Sequence, residues 1–200
     1  MGPKIDLQLR DYLLLTRLCQ FGYLNLEYIT ELIFETHYKN VSRRLIKLRK
    51  LGLVSFIRRT AFNGTKVYIP LIKNIQSLVT EEMWAQGQKL CTFQPWFFRL
   101  YEHSDQVRYW GLRVLKYWPD VALNLEYLLD PGDYTLYEKG LDARIKIPDF
   151  TIEFEDEDQV SFEIELHPKS SSTYDQIFLS MHQMRRWPVV YFVRTPSINN

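Results

Sequence analysis

The chain has 200 residues, 46% of them hydrophobic and 15% aromatic, enough to build one large core or two small ones, which excludes extended disorder. Its formal net charge of +1 conceals a division: ten Lys or Arg and no acid lie between Glu35 and Glu81, so the remainder holds fifteen bases against all twenty-four acids. No apolar run approaches the roughly 20 residues that cross a bilayer, and the first residues lack the pattern of a signal peptide, so a cytoplasmic protein without membrane contact is expected.

Taken in chain order, Asp6 is placed to cap a first helix whose apolar positions Leu9, Leu13, Leu14, Leu18 and Phe21 recur at helical spacing, with Gly22 just past its end. A second helix is expected from about Asn25, burying Leu26, Ile29, Leu32 and Ile33. A third runs from about Asn40 to Leu51, with Val41, Leu45 and Leu48 inward and Gly52 as its stop. Opposite that stripe lie Arg43, Lys47 and Lys50, with Arg44 at its border, so the solvent face is cationic apart from Ile46. Leu53 to Arg59 and Lys66 to Ile69 read as two strands joined at Asn63-Gly64, a favoured two-residue hairpin turn.

Three short helices followed by a basic hairpin predict a winged helix-turn-helix over residues 1–75 that binds double-stranded DNA. The expected contacts are Lys39, Ser42, Arg43, Arg44, Lys47 and Lys50 on the recognition helix and Arg58, Arg59 and Lys66 in the wing. A solvated basic face on an ordinary helical domain is the competing reading. Asn40, Ser42, Arg43 and Lys47 are equally suited to bases and to backbone phosphates.

Residues 76–102 read as a packed aromatic linker, because Trp84, Phe93, Trp96, Phe97 and Phe98 are costly to leave in water. Cys91 there, like Cys19 before it, has no CxxC or Cys/His ligand spacing, which argues against structural zinc and for thiols in a reducing compartment.

From residue 103 to 200 a second, acidic domain is expected. Ser104 is placed to cap a helix to about Trp118 whose apolar side is Val107, Trp110, Val114, Leu115 and Trp118, ended by Pro119. Strand-like runs follow at Val121 to Leu128, Ile145 to Phe154 and Val160 to Leu166. The turn Asp130-Pro131-Gly132-Asp133 follows the first, and the acidic turn Glu155 to Asp158 follows the second. A helix from about Ser172 to Arg186 and an apolar strand Val189 to Val193 complete a strand-helix-strand unit, which implies a parallel pair inside a mixed sheet.

Alternation in Phe162-Glu163-Ile164-Glu165-Leu166-His167-Pro168-Lys169 puts Glu163, Glu165 and His167 on one face, with Lys169 continuing the polar row. Pro148-Asp149 stands where the preceding strand bends, close enough in register for Asp149 to approach Glu163 or Glu165. Carboxylates converging beside an amine suit a hard divalent ion, Mg²⁺ or Mn²⁺, acting on a phosphodiester. A solvated polar hairpin face is the alternative.

Pro148-Asp149 followed by Glu163-x-Glu165-Leu166-x-x-Lys169 resembles the PD-(D/E)xK motif of restriction-endonuclease-like nucleases. With the basic module ahead of it, most of the chain resembles the replication-relaxation and MobC-type plasmid mobilisation proteins. The resemblance implies an α+β chain in which a winged helix-turn-helix precedes a restriction-endonuclease-like α/β domain with a mixed sheet. It further implies metal-dependent nicking of duplex DNA at a transfer origin, with Asp149, Glu165 and Lys169 catalytic. Asp149, Glu163, Glu165 and the upstream Glu126 are the implied metal ligands, and other mobilisation or replication proteins the implied partners. The family spacing puts lysine two residues after the acid, whereas Lys169 follows Glu165 by four, so either the strand bends at Pro168 to restore the reach of the amine or the site has changed.

A relaxase that holds the cut strand on tyrosine has thirteen candidates here, of which Tyr174 lies nearest Lys169 in sequence. Two non-enzymatic readings stand beside the nuclease: a DNA-binding accessory or replication regulator, and a repressor with a sensor domain.

Overall fold

The computed structural model of the chain describes residues 6–58, 66–75, 101–125, 148–155, 158–167, 169–183 and 188–193. It is an α+β protein with two sheets, one antiparallel and one mixed. Two compact units divide it, one comprising Met1–Arg99 and Arg108–Tyr117, the other Leu100–Val107 and Trp118–Asn200.

In the first unit, α1 (Leu9–Phe21) buries Leu14, Leu15, Leu18, Cys19 and Phe21. Leu9 and Leu13, expected inward, face solvent because the buried face runs through Asp11, Leu14, Leu15 and Leu18, and helical geometry turns positions 9 and 13 to the opposite side. The expected cap Asp6 is replaced by Gln8, whose backbone N–H donates to the Asp11 carboxylate at 2.7 Å. Gly22 ends the helix at φ 74°, a left-handed conformation in which a side chain is strained.

A two-residue strand, β1 (Leu24–Asn25), precedes α2 (Leu26–Tyr28), which is capped by the Asn25 side chain accepting from the Tyr28 N–H at 2.8 Å. α2 continues as a π-helical segment, Ile29–Phe34, so Phe34 joins Ile29, Leu32 and Ile33 in the core.

In α3 (Tyr38–Lys50) the stripe Val41, Leu45 and Leu48 is fully buried, as the spacing predicts. His37 rather than a later residue caps it, its Nδ1 accepting from the Lys39 N–H at 3.3 Å. Gly52 leaves at φ 70°. β2 (Val54–Arg58) and β3 (Lys66–Pro70) then pair antiparallel from Val54↔Pro70 to Arg58↔Lys66. The expected Asn63-Gly64 turn lies outside the described residues. β1 pairs with β3, giving sheet order β1-β3-β2, and the short α4 (Ile72–Ile75) follows.

One buried ion pair ties α1 to α3. Asp11 is fully buried and is gripped by Arg44, whose Nε donates to Oδ1 at 2.7 Å and whose Nη2 contacts Oδ2 and donates to the Asp6 carbonyl at 2.9 Å. A second buried cation closes the far end of α1. α5 (Tyr101–Tyr117) starts three residues before Ser104, and its Arg108, 1% exposed, donates from Nε to the Phe21 carbonyl at 2.9 Å. The same guanidinium lies 3.8 Å from the Tyr23 ring centre. Arg108 therefore caps the C-terminal end of α1, where a cation also meets the helix dipole favourably. Val107, Val114 and Leu115 are buried as expected, whereas Trp118 lies beyond the helix and is exposed.

In the second unit, β4 (Ala122–Leu125), β5 (Phe150–Glu153) and β6 (Gln159–Glu165) run antiparallel in that order. After α6 (Ser171–Gln183), capped by Ser170 Oγ, β7 (Val189–Val193) pairs parallel to β6, as the strand-helix-strand order predicts. One face of this sheet is apolar: Phe150 stacks on Phe162 at 4.5 Å and Phe162 on Phe192 at 6.0 Å, beside Ile152 and Ile164. The turn between β5 and β6 closes with the Phe154 N–H donating to the Asp158 carbonyl at 3.0 Å. The aromatic linker from 76 to 100 and the Asp130 to Asp133 turn lie outside the described residues. No described helix is long and apolar enough to cross a membrane.

The Asp11 pair generates the first prediction. Arg44→Ala leaves a carboxylate without its partner in a water-free site and costs about 3 kcal/mol of stability. Arg43→Ala, one position away on the exposed face, changes stability by less than about 0.5 kcal/mol. Urea denaturation of the two variants beside wild type measures the difference.

Candidate functional site

The basic surface is built by α3 and the hairpin. With Val41, Leu45 and Leu48 pulled inward, helical geometry turns Lys39, Arg43, Lys47 and Lys50 to solvent, and all four are exposed; Ser42 is half-buried. Arg44 has a different role from its neighbours. The hydrogen bonds from its guanidinium to Asp11 raise its pKa above the ordinary arginine value, and the charges of Asp11 and Asp6 add to this. It is committed to the fold rather than to a ligand. In the hairpin, Arg58 and Lys66 are exposed and directly opposed in register, while Arg59 lies outside the described residues. Phe56 holds two cations near its ring, Arg49 at 4.3 Å and Lys66 at 5.6 Å.

The second unit gathers carboxylates on the sheet face opposite the phenylalanine stack. Register places Thr151, Ser161, Glu163, Glu165 and Tyr191 on that face, with Glu163 directly beside Tyr191 on the neighbouring strand. Asp149 sits just before β5; its N–H donates to the Phe162 carbonyl at 3.0 Å and its Oδ2 accepts from the Ile164 N–H at 2.6 Å. His103, from the first turns of α5, brings Nε2 to 3.3 Å from the same Oδ2 and 3.1 Å from the Ile164 carbonyl. A proton on Nε2 serves both acceptors and holds the Asp149 side chain in one orientation.

Asp149, Glu163 and Glu165 are all buried. The alternation read from sequence is correct, but the acidic face is covered rather than solvated. Phe178 of α6 packs edge-on against Tyr191 at 5.6 Å, and the Tyr174 hydroxyl accepts from the Lys169 N–H at 3.3 Å. Burial raises the Tyr191 phenol above its ordinary value, and the charges of Glu163 and Glu165, then Tyr174 and Asp149, raise it further. That phenol thus stays protonated amid the carboxylates.

The expected polar row does not continue past Glu165. β6 ends there, the chain bends at Leu166 and His167, and His167 is exposed. The bend nevertheless returns Lys169 to Glu165, with which it forms an ion pair.

Asp149, Glu163 and Glu165 are buried carboxylates and Thr151 is fully buried, oxygen donors of the type that hard divalent cations take. Among the described residues, no three His, Cys, Asp or Glu side chains are drawn together as a metal-holding group, and Glu126 lies outside those residues. Tyr174, the tyrosine nearest Lys169, is half-buried and stacks on Phe178 at 6.2 Å.

Two residues beside the buried carboxylates were not read from sequence as part of that face. Tyr191 was legible in principle, as the one polar-tipped residue in Val-Val-Tyr-Phe-Val and the register partner of Glu163. His103 carried no such signal. Comparisons with protein-family models, with curated proteins and with solved structures each return no match to this chain.

The raised Tyr191 pKa sets a pH dependence. The unfolded chain ionises its phenol first, so the stability that Tyr191 contributes is complete below about pH 10 and declines as pH rises toward the folded value. Tyr191→Phe removes that contribution to the alkaline fall, a difference read from urea midpoints measured at about pH 9 and about pH 11.

Proposed function

We propose that this protein binds duplex DNA through a winged helix-turn-helix head and nicks it by divalent-metal-dependent phosphodiester cleavage in its second unit. The observation that carries the reading is α3: a stripe of Val41, Leu45 and Leu48 buried to the last atom, backed by exposed Lys39, Arg43, Lys47 and Lys50. Like charges so arranged repel one another in the absence of a polyanion. The order α1-β1-α2-α3-β2-β3, with the hairpin following the basic helix, supports the winged-helix reading.

Support for the nuclease reading comes from Asp149 at the head of β5, Glu163 and Glu165 on adjacent β6, and Lys169 paired with Glu165. Asp149, Glu163 and Glu165 are the residues that would hold Mg²⁺ or Mn²⁺. Such an ion supplies Lewis-acid polarisation of the scissile phosphate. His103 and the Ile164 N–H hold the Asp149 carboxylate in place, Glu165 holds the Lys169 amine, and Lys169 offsets the charge that develops on the phosphodiester oxygens. The transfer origin as target, and mobilisation or replication proteins as partners, rest on the sequence resemblance alone.

A second reading is favoured by the engagement of Asp149. One of its oxygens already accepts a backbone N–H inside a covered site, a structural use of the acid. In that reading the chain is a non-catalytic DNA-binding accessory or replication regulator whose second unit has lost the chemistry and serves protein contacts.

Supercoiled plasmid carrying the cognate origin, incubated with protein and Mg²⁺ or Mn²⁺, is expected to yield open circles. Asp149→Ala and Glu165→Ala reduce nicking by at least about a hundredfold while leaving duplex affinity intact. Equal nicking by the variants refutes the assigned site, and tight binding with no open circles in either metal selects the accessory. In the head, replacing Arg43 and Lys47 together by Ala lowers the slope of log affinity against log salt by about two, as expected for two lost phosphate contacts.

A further inference from the structure

A cleft of about 290 Å³ opens in the first unit where the start of α1, the end of the π-helical segment and the exposed side of α3 meet. We propose that this cleft seats one backbone phosphate of the bound nucleic acid, with Arg10 of α1 as a phosphate-binding residue outside both the basic helix and the hairpin. The inference rests on the duplex-binding reading and adds a third element to the interface.

Charge is the first argument. Arg10, Arg43, Arg44 and Lys47 line the cleft together with the neutral hydrogen-bonding residues Thr36 and Asn40, and among the described residues no acid lines it. Arg44 is neutralised by Asp11, so it forms a fixed wall, and the uncompensated charge comes from Arg10, Arg43 and Lys47.

Preorganisation is the second. Arg10 is not a freely moving surface side chain: its Nη1 donates to the Phe34 carbonyl at 3.3 Å and its guanidinium lies 5.9 Å from the Phe34 ring centre. Phe34 is itself buried, so Arg10 is tethered to the core while its other N–H groups stay available. Less side-chain freedom remains to be lost on binding.

Shape is the third. At about 290 Å³ the cleft is at the small end of the range of roughly 300 to 1,000 Å³ usual for drug-sized organic ligands, and its walls are cationic. Base edges are recessed in a groove and are reached by side chains projecting from a convex helix; a phosphate projects from the duplex and fits a concave, multi-element site. A residue contacting backbone carries no sequence information, so Arg10 acts alike on every duplex.

The test uses the full chain, two labelled duplexes of unrelated sequence, and a KCl series. Arg10→Ala is expected to lower the slope of log affinity against log salt by about one. It should also weaken both duplexes by the same factor, roughly eightfold at 0.1 M salt. Arg10→Lys, which keeps the charge, retains most of that affinity, and a thermal unfolding curve coincident with wild type excludes a folding defect. Wild-type binding with an unchanged slope in Arg10→Ala overturns the proposal, and so does a loss confined to one duplex, which marks a base contact. Calorimetric titration with inorganic phosphate at constant ionic strength separates this inference from the reading it rests on. If the wild type binds no duplex, the duplex-binding function fails; phosphate binding abolished by Arg10→Ala then still supports the cleft, as a site for a free phosphate group, and absence of phosphate binding overturns it.

Discussion

The pairing of Asp11 with Arg44 is the constraint on which the head depends. A carboxylate with no access to water is tolerable only when its charge is matched and its oxygens are hydrogen-bonded, and both conditions are met by one arginine thirty-three residues away and the Gln8 N–H. The consequence is rotational. Once Arg44 is bound to α1 and Val41, Leu45 and Leu48 are inside, α3 has no freedom left about its axis, and Lys39, Arg43, Lys47 and Lys50 must face outward. A fold interaction therefore aims the basic surface, and one of the bases that composition assigns to that surface is the residue that does the aiming.

The second unit solves the opposite electrostatic problem. Glu163, Glu165 and Asp149 are like charges on one covered face, and each has a neighbour that makes this tolerable: Lys169 pairs with Glu165, the Ile164 N–H and His103 attend Asp149, and Tyr191 stands beside Glu163 as a protonated phenol. Such a face is expensive to build for structure alone, because an apolar face would bury as well without the desolvation. That imbalance is why the carboxylates, rather than the larger phenylalanine stack behind them, are the chemically informative side of the sheet.

Periodic features were legible in the sequence and paired charges were not. The α3 stripe, the β2–β3 hairpin and the β5-β6-α6-β7 order each follow from a repeat of 3.6 or 2 sustained over several residues. β1 is two residues long and so has no period to detect, and the π-helical turn after Tyr28 breaks the spacing that a regular helix would keep. Asp149 was legible as a neighbour of Glu163 or Glu165, but its burial, like that of Asp11 and Arg108, was not, because burial of a charge is decided by a partner remote in sequence. For the acidic face, alternation identified which side chains share a surface, but what covers that surface depends on α6 and β7 arriving from later in the chain. The Lys169–Glu165 pair was not legible from spacing along a strand, because it forms across the bend at Leu166 and His167.

Arg108 has a temporal implication. The carbonyl it caps belongs to Phe21, eighty-seven residues earlier, so this buried hydrogen bond has no donor until Arg108 has been synthesised. At translation rates of roughly 5 to 20 residues per second, that is an interval of about 4 to 17 s during which α1 exists with an open C-terminal end. Until Arg108 emerges, the Phe21 carbonyl has only water to satisfy it, so the closing of this helix end is coupled to the arrival of α5.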